Sequence, residues 1–279
     1  GYVGVSVVQD ELMMEGMNEK GLSAGLFYFP DYGRYEEYSE ANYETNISDF
    51  QLVSYILGRC ATVDEVKAEI AKVHIHGFDP RSSTVHWRFA EPSGRQIVLE
   101  IIDGKCVFYE NTLGVLTNSP SFDWQLTNLN NYVNLLPGRT EPHTLGNMSL
   151  SSFGGGSAML GLPGDFTPPS RFVRAAFFQN TAPQKPNAEG SVFTAFHILG
   201  SMEIPIGAQF AVGEAPADIP SATQCTCVSD MSGLRFYYRS MYDGGIRCID
   251  LKEIDFKKIG LKSEPLIPSR KEFVHYIRF

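Results

Sequence analysis

At 279 residues and 43% hydrophobic side chains, the chain is long enough to bury a substantial core, and no linker divides it, so residues 1–279 read as one domain. Its 32 acidic against 23 basic residues give a net charge of −9 with no basic run to track phosphates, which argues against nucleic acid as a partner. No apolar stretch nears the roughly 20 residues of a membrane span, the start Gly1–Val8 lacks the basic region of a signal peptide, and five cysteines in so long a chain make no disulfide framework.

In chain order, Val3–Val8 reads as a buried strand and Leu22–Phe29 as a second, with Glu15–Gly21 turning between them into a hairpin. Asn18, in the Asn-Glu-Lys-Gly turn, is expected to hold that loop. Asp49–Cys60 is a helix with Phe50, Val53, Ile56 and Leu57 on one face. Thr62 opens another, with Glu65 completing a capping box and Val63, Val66 and Ile70 forming its apolar side. From Thr84 to Thr117 the pattern is that of an antiparallel meander turning at Pro92-Ser93-Gly94 and Asp103-Gly104.

Phe122–Leu136 returns to helical spacing through Phe122, Leu126, Leu129 and Val133. Arg139–Phe166 is a Gly-, Ser-, Thr- and Pro-rich loop suited to function or assembly; no strand leads into its Gly154-Gly155-Gly156, so it is not a phosphate cradle. Helices follow at Pro169–Gln179 and about 190–202, then strands near 222–229, 234–241 and 246–251. Two strand groups with helices between and after them give an α+β architecture of two helix-covered sheets.

Arg171 stands at a helix start, where the backbone is already partly positive, so it is expected to serve an anionic group elsewhere or to pair with a surface carboxylate. Arg174 lies nearly on the same face and competes with it, and Ser170 is placed to help satisfy the free amides. Phe172, Val173, Ala176 and Phe177 mark the buried face. Cys60 and Cys106 read as core thiols, and Cys225 and Cys227 as ordinary strand residues. The six histidines make no metal pattern: His74 and His76 alternate in a polar stretch, and His86, His143, His197 and His275 stand alone. No Gly-x-Ser-x-Gly elbow is present.

Four blocks in order, Met17–Leu22, Ile56–Val66, Gly114–Gln125 and Gly161–Phe178, resemble the choloylglycine hydrolase family of bile salt hydrolases and penicillin V acylases. Phe236-Tyr237-Tyr238 and Ile249-Asp250-Leu251 resemble its closing strands more loosely. The resemblance implies the four-layer αββα sandwich of N-terminal nucleophile hydrolases and cleavage of linear amide C–N bonds without a cofactor. An N-terminal cysteine would attack the amide carbonyl, its α-amino group taking the thiol proton near neutral pH. A thioester forms and water hydrolyses it, so two tetrahedral intermediates need an oxyanion hole.

By the same resemblance Asn118 donates its side-chain amide to that hole, although an Asn-x-Pro segment also reads as a turn, and the backbone N–H of Tyr28 is the other donor. Arg171 would favour the thiolate. Tyr28, Phe27 and Met17, with Phe29, would line an apolar pocket for the acyl part of a small-molecule amide; a tyrosine at 28 is penicillin V acylase-like. The family implies a homotetramer, with Arg139–Phe166 resembling an assembly element, and includes both cytoplasmic and exported enzymes. Residue 1 is glycine and no cysteine precedes Cys60, so the chain is expected to lack the family's first segment and to be inactive alone. Two alternatives stand beside this reading: an inactive relative that binds an apolar acyl or steroid ligand, and Cys60 or Cys225 as an ordinary nucleophile.

Overall fold

The computed structural model describes residues 1–7, 9–79, 83–214, 222–268, 271 and 273–278. The chain begins with antiparallel strands β1 (Tyr2–Val7), β2 (Gln9–Asn18) and β3 (Ser23–Tyr28). Part of Glu15–Gly21, expected as a turn, is therefore strand as far as Asn18. Asn18 makes the shorter turn possible: its Oδ1 accepts from Lys20 N and Leu22 N at 3.0 Å, and its Nδ2 donates to Leu57 O at 2.9 Å and Cys60 O at 2.7 Å. One buried amide thus closes the turn and ties the sheet to the helix beside it.

After β4 (Asn46–Ser48) and a 3₁₀ turn come α1 (Leu52–Leu57), α2 (Val63–Ile70) and β5 (His74–His76), which pairs parallel with β4. The helix expected over Asp49–Cys60 is thus shorter, its first turn being 3₁₀. The capping box at Thr62 forms as expected: Glu65 N donates to Thr62 Oγ1 at 3.2 Å, and Thr62 N to Glu65 Oε2 at 3.3 Å. Thr62→Ala leaves one of these donors without its acceptor, and is expected to lower stability by about 0.5–2 kcal/mol, read as a lower urea midpoint at unchanged slope.

Strands β6 (Val85–Ala90), β7 (Gln96–Ile102) and β8 (Lys105–Glu110) form the expected meander and extend the sheet to the order β1-β2-β3-β6-β7-β8. Side chains alternate across it. Leu22, Ala24, Leu26, Val85, Trp87, Phe89 and Leu99 pack on one face under α1 and α2. On the other, Val3, Val5 and Met17 meet Phe236, Ile249 and Leu251 of a second sheet.

Helix α3 (Phe122–Asn128) ends after two turns in a 3₁₀ segment, Leu129–Tyr132. The expected apolar stripe stops with it: Leu126 and Val133 are exposed, and Phe122 and Gln125 are the buried pair. The loop 139–166 carries an exposed hairpin, β9 (His143–Leu145) and β10 (Met148–Leu150). Helix α4 (Pro168–Thr181) has its prolines in the first turn, where the missing N–H groups are unneeded. Ser170 does not cap it; its Oγ donates to Asp165 Oδ2 at 2.7 Å. Phe177 is half-buried, whereas Phe172, Val173 and Ala176 are buried as expected.

Helix α5 (Ala188–Gly200) precedes the antiparallel sheet of β11 (Cys225–Asp230), β12 (Arg235–Ser240) and β13 (Arg247–Asp250). Phe236 points to the first sheet, while Arg239 of the same strand lies over the ring of Phe196 in α5, 5.3 Å away. Helices, six-stranded sheet, three-stranded sheet and helices make a four-layer αββα sandwich of α+β class, with α4 packed through Phe172 and Ala176 against Val98 of β7 and Phe122 of α3.

Candidate active site

The site starts from the hydrogen-bond parity of β3. Phe29 N donates to Thr84 O at 2.8 Å, so the N–H and C=O of Tyr28, one residue earlier, point to the opposite edge. The β2 ladder reaches only to Gly25, opposite Glu15, so among the described residues no strand pairs with that edge at Tyr28.

Asn118 fills the opening from the loop between β8 and α3. Its Nδ2 donates to Tyr28 O at 2.8 Å and its Oδ1 accepts from Arg171 Nη2 at 2.8 Å. These partners fix which way the amide faces, because a carbonyl only accepts and a guanidinium only donates. The loop itself is pinned on both sides of Asn118, by Thr117 Oγ1 to Pro168 O at 3.1 Å and by Ser119 Oγ to Pro30 O at 2.6 Å. Asn118 is therefore not a turn asparagine closing on its own backbone. Among the described residues its second Nδ2 hydrogen has no partner. That hydrogen and the Tyr28 N–H are two neutral donors at one open strand edge, the arrangement an oxyanion needs.

Arg171 also donates from Nε to Phe166 O at 3.0 Å. Among the described residues no carboxylate pairs with it, so neither a surface ion pair nor a protein anion accounts for its charge. Burial lowers its pKa, and Arg174 adds to the effect. Arg174 turns the other way, donating from Nη1 to Pro163 O at 2.8 Å and Asp165 O at 2.5 Å. Of the two competing arginines, Arg171 meets Asn118 and Arg174 braces the loop that leads into α4.

The three residues expected to line a pocket separate. Tyr28 is half exposed and lines an apolar cavity of about 280 Å³ with Leu12, Met14, Leu26, Phe50 and Phe78. Phe27 projects from the opposite face, its ring edge-on to His86 at 6.1 Å. Met17 is fully buried between the sheets against Phe236 and Leu251, so it is a core residue and lines no opening. Strand alternation separates Phe27 from Tyr28, and the second sheet covers Met17.

Cys60 is buried, and Cys106 is exposed on β8 rather than a core thiol. Burial pushes the Cys60 thiol up to about 11, with Glu69 and Glu65 adding to it. Thiolate is the reactive form, so Cys60 is expected to resist a maleimide at pH 8 in the folded protein and react in urea, as peptide mass mapping would show; rapid folded-state labelling would contradict its burial. Two residues apart on β11, Cys227 lowers the pKa of Cys225 while Cys225 raises that of Cys227, beside the Glu15–Arg88 ion pair between the sheets. Among the described residues no cysteine contacts Asn118, Arg171 or Tyr28, and no cluster of His, Cys, Asp and Glu could hold a metal.

His86 does not stand alone. It is fully buried, 3.1 Å from Glu100 through Nδ1 and 2.9 Å from Thr117 O through Nε2, directly behind Asn118. The sequence signal for this pair is Glu100 itself, a carboxylate in the otherwise apolar run Ile97–Ile102.

Residues 1–264 match the family model described as linear amide C–N hydrolases, choloylglycine hydrolase family. The chain is 34% identical over 258 residues to a bile salt hydrolase/transferase of Clostridium perfringens, covering 90% of this chain and 77% of the relative. A mutant of the conjugated bile acid hydrolase from Clostridium perfringens superposes with a TM-score of 0.82 at 30% identity, over 99% of this chain and 84% of that one. Penicillin V acylase from Agrobacterium tumefaciens superposes with a TM-score of 0.68 at 25% identity, over 88% and 68%. The αββα layers and the matched length lead to one assignment: the chain belongs to the choloylglycine hydrolase family of linear amide C–N hydrolases.

Proposed function

We propose that residues 1–279 form one domain that supplies the oxyanion-binding part of a cysteine amidase acting on conjugated bile salts. The observation that carries this reading is Asn118, held between the Tyr28 carbonyl and Arg171 with one amide hydrogen that has no partner among the described residues. In the reaction a thiolate adds to the amide carbonyl, and the negative charge developing on its oxygen meets Asn118 Nδ2–H and Tyr28 N–H. The C–N bond then breaks, the amine leaves with a proton, and water cleaves the thioester through a second oxyanion at the same donors.

The nucleophile in this reading is an N-terminal cysteine outside residues 1–279, so these residues alone turn over nothing. Arg171 stabilises its thiolate through a charge that no carboxylate among the described residues neutralises. The likeness to bile salt hydrolases supports the steroid substrate, and the apolar cavity beside Tyr28 suits a non-polar acyl group. A second reading, penicillin V-type amides, is favoured by the tyrosine at 28. The exposed apolar side chains Leu145, Met148, Phe153 and Leu160 on the 139–166 arm support assembly as a homotetramer.

The gene product that includes the coding sequence ahead of Gly1 is the protein to assay, against glycine- and taurine-conjugated bile salts and penicillin V. Release of glycine or taurine is expected, and 6-aminopenicillanic acid instead would favour the second substrate. Release of neither amine would leave the binding reading, in which the protein holds an apolar acyl or steroid ligand without turnover.

A further inference from the structure

Behind Asn118 lie two fully buried titratable side chains, His86 and Glu100, that the amidase reading does not use. Their proton content follows from their partners. His86 Nε2 is 2.9 Å from Thr117 O, and a carbonyl only accepts, so Nε2 carries a hydrogen. Nδ1 is 3.1 Å from Glu100 Oε1, which also accepts from Phe122 N at 2.9 Å. A neutral ring facing a carboxylate would set two acceptors against each other, so one proton lies between Nδ1 and Oε1.

The surroundings give this pair a task. The imidazole stacks on Phe29, with centroids 4.4 Å apart and planes within 10°. Phe29 follows Tyr28 and Thr117 precedes Asn118, so one ring touches the neighbours of both oxyanion donors. Glu100 holds the first residue of α3, Phe122, and thereby the far end of the Asn118 loop. Gln125 Nε2, one turn further along α3, reaches Asn118 O at 3.4 Å. No other side chain among the described residues hydrogen-bonds both to Glu100 and to the loop that carries Asn118.

We propose that His86 and Glu100 are positioning residues, a proton-sharing buried pair that holds Asn118 against Tyr28 through the Thr117 carbonyl and the Phe122 N–H. Its effect on turnover rests on the amidase reading; its effect on Asn118 does not.

The test uses the full gene product with ¹⁵N-labelled asparagine, the Asn118 amide resonances being assigned by their loss in Asn118→Asp. His86→Phe keeps a ring on Phe29 and removes both hydrogen bonds, whereas His86→Gln keeps an N–H for Thr117. His86→Phe is expected to shift the Asn118 amide resonances and lower kcat by about 10- to 100-fold at little-changed KM, and His86→Gln to recover most of the loss. A role in stability alone would make both losses follow the melting temperature. Unshifted Asn118 resonances in folded His86→Phe, or equal kcat in the two variants, would overturn the proposal. If His86→Phe fails to fold, Glu100→Gln serves the same comparison, and Asn118 resonances left in place would again overturn it. If the unsubstituted protein hydrolyses no amide, the amidase reading fails, and the resonances decide the positioning pair by themselves.

Discussion

Asn118→Ala, made in a gene product that carries the nucleophile, is expected to lower kcat for amide hydrolysis by about 10²–10³-fold with KM close to that of the parent. The donor it removes is worth most when charge sits on the carbonyl oxygen, so the loss falls on the chemical step. Asn118 is partly exposed and contributes two hydrogen bonds, a modest share of stability, so the variant should stay folded. Asn118→Asp sharpens the test. It keeps the pairing with Arg171 but sets a carboxylate oxygen against the Tyr28 carbonyl and puts an anion where an oxyanion must form, so activity should fall at least as far. Activity within threefold of the parent in Asn118→Ala, measured per titrated active site, would remove Asn118 from the oxyanion hole.

Phe172→Ala is expected to destabilise the fold by about 3–5 kcal/mol, read from urea or guanidinium unfolding. The ring is fully buried, edge-on to Phe122 at 6.1 Å, in the cluster that joins α3 and α4 to Val98 and Val115. Truncation leaves a void between two short-range partners that the rest of α4 cannot fill without moving. Arg171 is the preceding residue, so the same cavity loosens its bond to Asn118. A measured loss below about 1 kcal/mol would show that α4 is held by other contacts.

Local signals were legible where the physics is local. The capping box at Thr62 needs only its own two partners, and the meander from β6 to β8 is spelled by its turns and its alternation. Strand β2 was less legible because both its faces are covered, by α1 and by the second sheet; Leu12 and Met13 are adjacent and both buried, so no alternation marks it. The exposure of Leu126 and Val133 had no local sign, since α3 ends where its tertiary contacts end. For the site, the turn reading of Asn118 could be set aside only once Tyr28, 90 residues away, supplied a partner for its side chain. His86 looked solitary because its partner Glu100, 14 residues on, stands opposite it on the facing strand, a relation that only the register of β6 on β7 creates. The family blocks located Asn118 and Arg171, while pocket-lining roles for Met17 and Phe27 depended on which face each side chain takes.

The bonds from Asn118 to Tyr28 and to Arg171 span 90 and 53 residues. During synthesis the six-stranded sheet can close once β8 has left the ribosome, yet Arg171 is then still to be made. Asn118 emerges into a finished sheet edge without the guanidinium that orients it, and the donor pair is completed only when α4 docks. Completion of this arrangement is therefore a late event of vectorial folding, separated in time from the packing of α1 and α2 on the first sheet, and a ribosome-stalled chain ending before Arg171 would hold that sheet with its inner face still uncovered and Asn118 unpaired with a guanidinium.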